Sequence, residues 1–159
     1  MFNLIKNKGF TFLEIILFLG VVAVLLGIFF LAINPTKQLG DIRNSQRRLD
    51  VLTILDAVYQ YSIDNNNTFP AVINKTNLIC VADTNQICQD GGTCNNLINL
   101  YNDLTIASST YLKSMPKDPA VAISAGGGSR YYISKQQASG RITVCAPKAE
   151  NGMVISVTR

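Results

Sequence analysis

Two groups of residues in this chain have types and spacings that could do chemistry. One is a solitary glutamate, Glu14, inside a long apolar run; the other is a set of four cysteines, Cys80, Cys88, Cys94 and Cys145, all of which follow that run. From Phe10 to Ile33 no other residue is ionisable. A carboxylate in such a run costs about 2.5–3.5 kcal/mol on membrane-insertion scales and needs a partner. A cut between Gly9 and Phe10 would create one, an ammonium at Phe10 one helical turn from Glu14. Between chains, the same pair would neutralise a buried charge and bring apolar helices into register.

An even number of cysteines in a polar, loop-rich stretch beyond a membrane span points to disulfides, with three possible connectivities. No C-x-x-C pair occurs and the spacings are irregular, which argues against zinc. The preferred pairing is Cys80 with Cys88, closing a short loop, and Cys94 with Cys145, tying that loop to late strands. There is no histidine and no tryptophan. Without imidazole, Ser-His-Asp and Cys-His catalysis and the usual catalytic zinc sites are removed. No catalytic residue, metal or cofactor is expected.

The elements that must position these residues begin with the apolar run itself. A helix from Phe10 to Ile33 would rise roughly 36 Å at about 1.5 Å per residue, against a bilayer core of about 30 Å. Asn34-Pro35 then ends or kinks it. Gly20 and Gly27, seven apart on nearly one helical face, would let neighbouring helices approach.

The residues Lys8-Gly9-Phe10-Thr11-Phe12-Leu13-Glu14, followed by uninterrupted apolar sequence, resemble the class III signal of type IV pilins and type II secretion pseudopilins. The resemblance implies that a membrane-bound prepilin peptidase cuts after Gly9 and N-methylates Phe10, and that Glu14 is the assembly glutamate. It implies as partners further copies of the chain in a helical homopolymer, the peptidase, an inner-membrane assembly platform, and the membrane before assembly. The expected location is the cytoplasmic membrane, single-pass with the head outside, and then an extracellular or periplasmic filament. The competing readings are a type II secretion pseudopilin and, in a different class, an uncleaved membrane-anchored extracellular binding domain. By charge count, Lys37, Arg43, Arg47 and Arg48 after the span outweigh Lys6 and Lys8 before it, but the cysteines and leader place the C-terminal part outside.

With 159 residues the chain allows one modest domain besides the span. A net charge of +4, dispersed except at Arg43, Arg47 and Arg48, argues against nucleic acid as a direct ligand of the subunit. The expected divisions are a leader over 1–9, a transmembrane or filament-core helix over 10–34, an amphipathic continuation over 35–64, and a head over 65–159. In the third segment Leu39, Ile42, Leu49, Leu52, Leu55, Tyr59 and Ile63 recur at helical spacing, while Val51, Ile54, Val58 and Tyr61 form a second apolar face. Such a helix wants two partners, its own head and a filament core. The arginine cluster is expected to be solvated or to form salt bridges between subunits.

Tyr61, Asp64, Asn65, Phe69 and Pro70 stand as in the helix end of pilin-like proteins, and Tyr111-Leu112 through Pro116-Lys117-Asp118-Pro119 resembles the Tyr-Leu-x-x-x-Pro-x-Asp-Pro segment of major pseudopilins. The acidic calcium loop of those relatives is replaced here by Ala120-Val121 and Gly126-Gly127-Gly128, a triplet expected to be a flexible turn. Asp83 and Asp90 are expected to be surface residues, and a short helix is expected over 97–104, capped by Asn96. Tyr131–Ser134, Ile142–Ala146 and Met153–Thr158 read as three antiparallel strands, with Asn151-Gly152 a hairpin signal. The expected fold is α+β and pilin-like: a long N-terminal helix and a small C-terminal antiparallel sheet, pinned by disulfides.

Overall fold

The computed structural model describes residues 9–75, 80, 85–89, 97–106, 111–120 and 127–159. Helix α1 spans Phe12–Ala32. Thr11 caps it: its backbone is extended, and its hydroxyl accepts the Glu14 N–H at 3.3 Å, satisfying one of the donors that a helix start leaves open. The helix ends where Ile33 turns extended. Over Phe12–Phe30 the mean hydropathy is 2.8 and none of the stretch is buried, so α1 is long and apolar enough to cross a membrane.

Helix α2 spans Pro35–Asp64. Asn34 caps its start, its side-chain oxygen accepting the Lys37 N–H at 3.1 Å and the Thr36 hydroxyl at 2.6 Å, with Pro35 at the first helical position where a missing N–H costs nothing. It stops at Asn65-Asn66-Asn67, where Asn66 and Asn67 adopt φ of 55° and 59°. The chain divides into two compact units, Met1–Gln38 and Leu39–Arg159.

The second unit is α+β. Strands β1 (Gln86–Cys88), β2 (Gly128–Lys135), β3 (Ile142–Cys145) and β4 (Ser156–Thr158) form one antiparallel sheet in the order β1-β2-β3-β4. Val51, Ile54, Leu55 and Val58 of α2 share a core with Ile87, Tyr131, Ile133, Ile142, Val144 and Leu104. Each fully buried aliphatic side chain contributes about 1.5–3 kcal/mol, so this shared core holds helix to sheet.

Several expectations are corrected. The sheet has four strands, because β1 forms in the stretch read as a loop; three residues flanked by Asn, Asp and Gly carry too little pattern to read alone. Gly128 is not in a loose turn but opens β2, where a Cβ would collide with the Gln86 side chain. Leu97–Leu100 is not helical, since Ile98 bridges to Ile87; the helix begins at Tyr101 and continues as a π-helix over Asn102–Ile106. Asn96, Asp83 and Asp90 lie outside the described residues. Asn151 and Gly152, with φ of 56° and 69°, do form a tight turn closed by the Met153 N–H on the Glu150 carbonyl at 3.1 Å. That turn caps a longer loop between β3 and β4 instead of joining the strands directly.

The cysteine pairing is also corrected. Cys80 is bonded to Cys145, 65 residues away, not to Cys88. Cys88 is disulfide-bonded as well, and Cys94 lies outside the described residues. Loop closure favours the short pairing by only about 2 kcal/mol, since its cost grows as the logarithm of length. Placing Cys145 at the end of β3 within reach of Cys80 outweighs that difference.

Candidate functional site

Residues expected to be processed lie at the start of the first unit. Phe10 is exposed and an added Cβ at Gly9 meets nothing within 4 Å, so the peptide bond between them is accessible. Phe10, Glu14, Ile15 and Phe18 line one almost wholly apolar hollow on the helix flank, which puts Phe10 and Glu14 on the same side of the chain. Glu14 is also in the first helical turn, where a carboxylate interacts favourably with the helix dipole. Its position therefore has a local stabilising reason besides any role between chains.

Two faces of α2 behave differently. Val51, Ile54, Leu55 and Val58 are fully buried, whereas Leu39, Ile42, Leu49 and Ile63 are all more than half exposed and Leu52 is 38% exposed. At 100° per residue the second set lies on the side of the helix away from the first, with Leu39 and Leu52 at its two margins. Four large aliphatic residues with no cover in the second unit form a stripe that single scattered apolar residues would not.

The buried face holds a polar cluster that spacing did not reveal. Arg47 is completely buried. Its Nε donates to Asp118 Oδ2 and its Nη2 to Asp118 Oδ1, both at 2.9 Å; Nη1 donates to Asn44 Oδ1 at 2.9 Å; and Nη1 and Nη2 each reach Glu150 Oε1 at 3.1 Å. These five bonds use all five guanidinium donors. Asp118 is fixed in turn: its Oδ1 also accepts the Ala120 N–H, and its own N–H donates to the Ser129 carbonyl. That carbonyl sits in an irregularity of β2, where the pairing with β1 shifts register and Arg130 takes φ 66°. The Pro116–Pro119 segment is thus a structural anchor, and its aspartate supplies the counter-charge for α2.

The loop between β3 and β4 completes the cluster. Arg43 Nε and Nη2 pair with the Glu150 carboxylate. Asn44 grips the Glu150 backbone from both sides, donating to its carbonyl at 2.8 Å and accepting its N–H at 2.9 Å. Asn151 Nδ2 donates to Asp41 Oδ1 at 2.8 Å. Gly40 makes room: a Cβ there would stand 2.8 Å from Asn151 Nδ2. The hydrogen bond from Arg43, ahead of that from Arg47, holds the Glu150 carboxyl down to about 2. The Asp118 bond raises the Arg47 guanidinium further against the opposing effect of burial. The expectation of a solvated or intersubunit arginine face is therefore corrected for Arg43 and Arg47, which bond within their own chain; Arg48 is exposed. The missed signal was the register of Arg47 with Val51, Ile54 and Val58, four, seven and eleven residues on.

Among the described residues no group of three or more His, Cys, Asp or Glu could hold a metal ion. Cys80 and Cys145 are brought together, joining the stretch before β1 to β3. Comparison with protein-family models, curated proteins and solved structures found no match. What the chain does must therefore be argued from its own residues.

Proposed function

We propose that this chain is a structural subunit of a type IV pilus-like filament, cut between Gly9 and Phe10 by prepilin peptidase and polymerised through its N-terminal apolar helix. The observation that carries the proposal is the uncovered stripe Ile42, Leu49, Leu52 and Ile63 on α2, opposite the face that the head buries. Bilayer insertion of α1 accounts for its own apolar surface but not for this stripe in the second unit. A neighbouring helix would cover it, and the Glu14 carboxylate with a new Phe10 ammonium would set the axial register. The subunit would be single-pass in the cytoplasmic membrane with its head outside before assembly, and part of an extracellular or periplasmic filament afterwards. It needs no catalytic step or cofactor of its own; an inner-membrane platform would supply the work.

The type II secretion pseudopilus is a second reading, favoured by the anchored Pro-Lys-Asp-Pro segment. The two differ in phenotype: deletion removes surface filaments in one and blocks protein export in the other. Mass spectrometry of the native N-terminus tests the shared core of both. A chain beginning at N-methylated Phe10 is expected, and Glu14→Gln is expected to be cut yet fail to assemble. A chain still beginning at Met1, with Glu14→Ala tolerated, would instead make this an anchored extracellular binding domain.

A further inference from the structure

A second concavity lies in the unit from Leu39 to Arg159, apart from the exposed α2 stripe. It measures about 480 Å³ and is lined by Gln46 and Asp50 of α2, Gln89 just after β1, Tyr101, and Ser114 to Lys117. That volume falls in the range of about 300–1,000 Å³ usual for small-molecule sites. Its unusual member is Asp50, a carboxylate only 8% exposed. Its oxygens accept from neutral groups, Gln46 Nε2 at 2.7 Å and the Tyr131 hydroxyl. Burial, and then the bond to Asp50, push the Tyr131 hydroxyl up, so it stays a donor and holds the carboxylate still. A buried carboxylate held by two neutral donors and no directly paired cation is costly, and a ligand hydroxyl donating to it would offset part of that cost.

The rest of the lining narrows what would fit. Lys117 is exposed and in no ion pair among the described residues, so the hollow carries one negative and one positive group that do not bridge each other. A lone carboxylate is too few ligands for a bound divalent cation. An anion would meet Asp50. Gln46, Gln89 and Ser114 carry both donors and acceptors and Lys117 donors alone, while Tyr101, Met115 and Pro116 add apolar surface. We propose that this hollow binds a neutral, hydroxyl-rich ligand, one pyranose unit, with Asp50 accepting hydrogen bonds from adjacent hydroxyls and Tyr101 or Met115 meeting a C–H face. This proposal is independent of polymerisation.

The test uses the full chain in detergent micelles and saturation-transfer NMR with glucose, galactose and N-acetylglucosamine, each free and as its methyl β-glycoside. At least one sugar is expected to bind with Kd on the order of 1 mM, typical of a small shallow site. Equal binding of the glycoside would identify the end of a glycan as the source, and binding of the free sugar alone a monosaccharide; either supports the hollow. Gln89→Ala and Ser114→Ala, at the rim and outside the core, are each expected to weaken binding about threefold or more. Asp50→Asn is expected to abolish it while circular dichroism stays unchanged. No transfer to any sugar, binding unaffected by both rim variants, or selective binding of tetramethylammonium or phosphate would overturn the proposal.

Discussion

Arg47 on α2 and Asp118 between two prolines, 71 positions apart, are joined by two buried hydrogen bonds of 2.9 Å each. The pair fixes where the Pro-Lys-Asp-Pro segment crosses the helix. Asp118 extends the constraint to the β2 irregularity through its backbone bond to Ser129. Around it, Asn44 and Arg43 bring in the β3–β4 loop through Glu150, so one guanidinium organises three separate segments.

Removing one member of this pair leaves the other charge buried. Asp118→Ala leaves the buried guanidinium with Glu150 as its remaining carboxylate partner and should destabilise the protein by about 3 kcal/mol, the low end for breaking a buried pair. The double variant Arg47→Met, Asp118→Leu should recover most of that loss, because neither charge then needs to be desolvated. Urea unfolding monitored by circular dichroism measures both. A double variant no better than the single one would show that shape, and not charge, dominates at this site.

The Glu150 carboxyl gives a pH dependence of known sign. Its folded pKa, about 2, lies below the ordinary 4.5, so its contribution is fully present above about pH 4.5 and is lost as pH falls toward 2. Denaturation midpoints should fall over that interval more steeply in the wild type than in Glu150→Gln. Arg43→Ala should move the carboxyl back toward its usual range, since the Arg43 hydrogen bond is the largest cause of the shift.

The bond between Cys80 and Cys145 closes a long loop. Chain-entropy arguments give it about 4 kcal/mol for that separation. Replacing both cysteines by serine should lower stability by about that amount and make the protein less sensitive to added reductant. Peptide mapping without reduction should recover a fragment in which Cys80 and Cys145 are linked. A Cys80–Cys88 peptide would contradict the pairing directly.

The exposed stripe on α2 separates folding from assembly. Ile42→Lys and Leu49→Lys lie off the core and should change head stability by no more than about 0.5 kcal/mol. Electron microscopy of sheared cell-surface or periplasmic material should nevertheless show filaments lost. Normal filaments in both variants would remove the main support for a helix-packed polymer.

Gly40 should behave unlike Gly20 and Gly27. A Cβ at Gly40 meets Asn151 and Glu150, while at the other two it meets nothing within 4 Å. In an ordinary helix, glycine to alanine gains about 1 kcal/mol. At Gly40, valine should instead lower the thermal midpoint by displacing the loop, and it should do so less when Asn151 is also made glycine.

Sequence by itself determined what local free energy controls. The apolar composition of Phe12–Ala32, the length of α2 to Asp64, the Tyr131–Ser134 core of β2 and the strand Ile142–Cys145 follow from composition, propensity and periodicity within a few residues. It also separated two apolar faces on α2, one of which is buried, although Leu55 and Tyr59, read with the outer face, belong to the buried one. Tertiary structure alone decided that Arg47 goes inward, that Cys80 meets Cys145, and that Gln86–Cys88 joins the sheet. Each of these depends on a partner tens of residues away, so its energy is realised only once the core has fixed where both partners stand. A one-dimensional pattern shows that a charge or a thiol is present, but the burial that makes it costly or useful belongs to the folded shape.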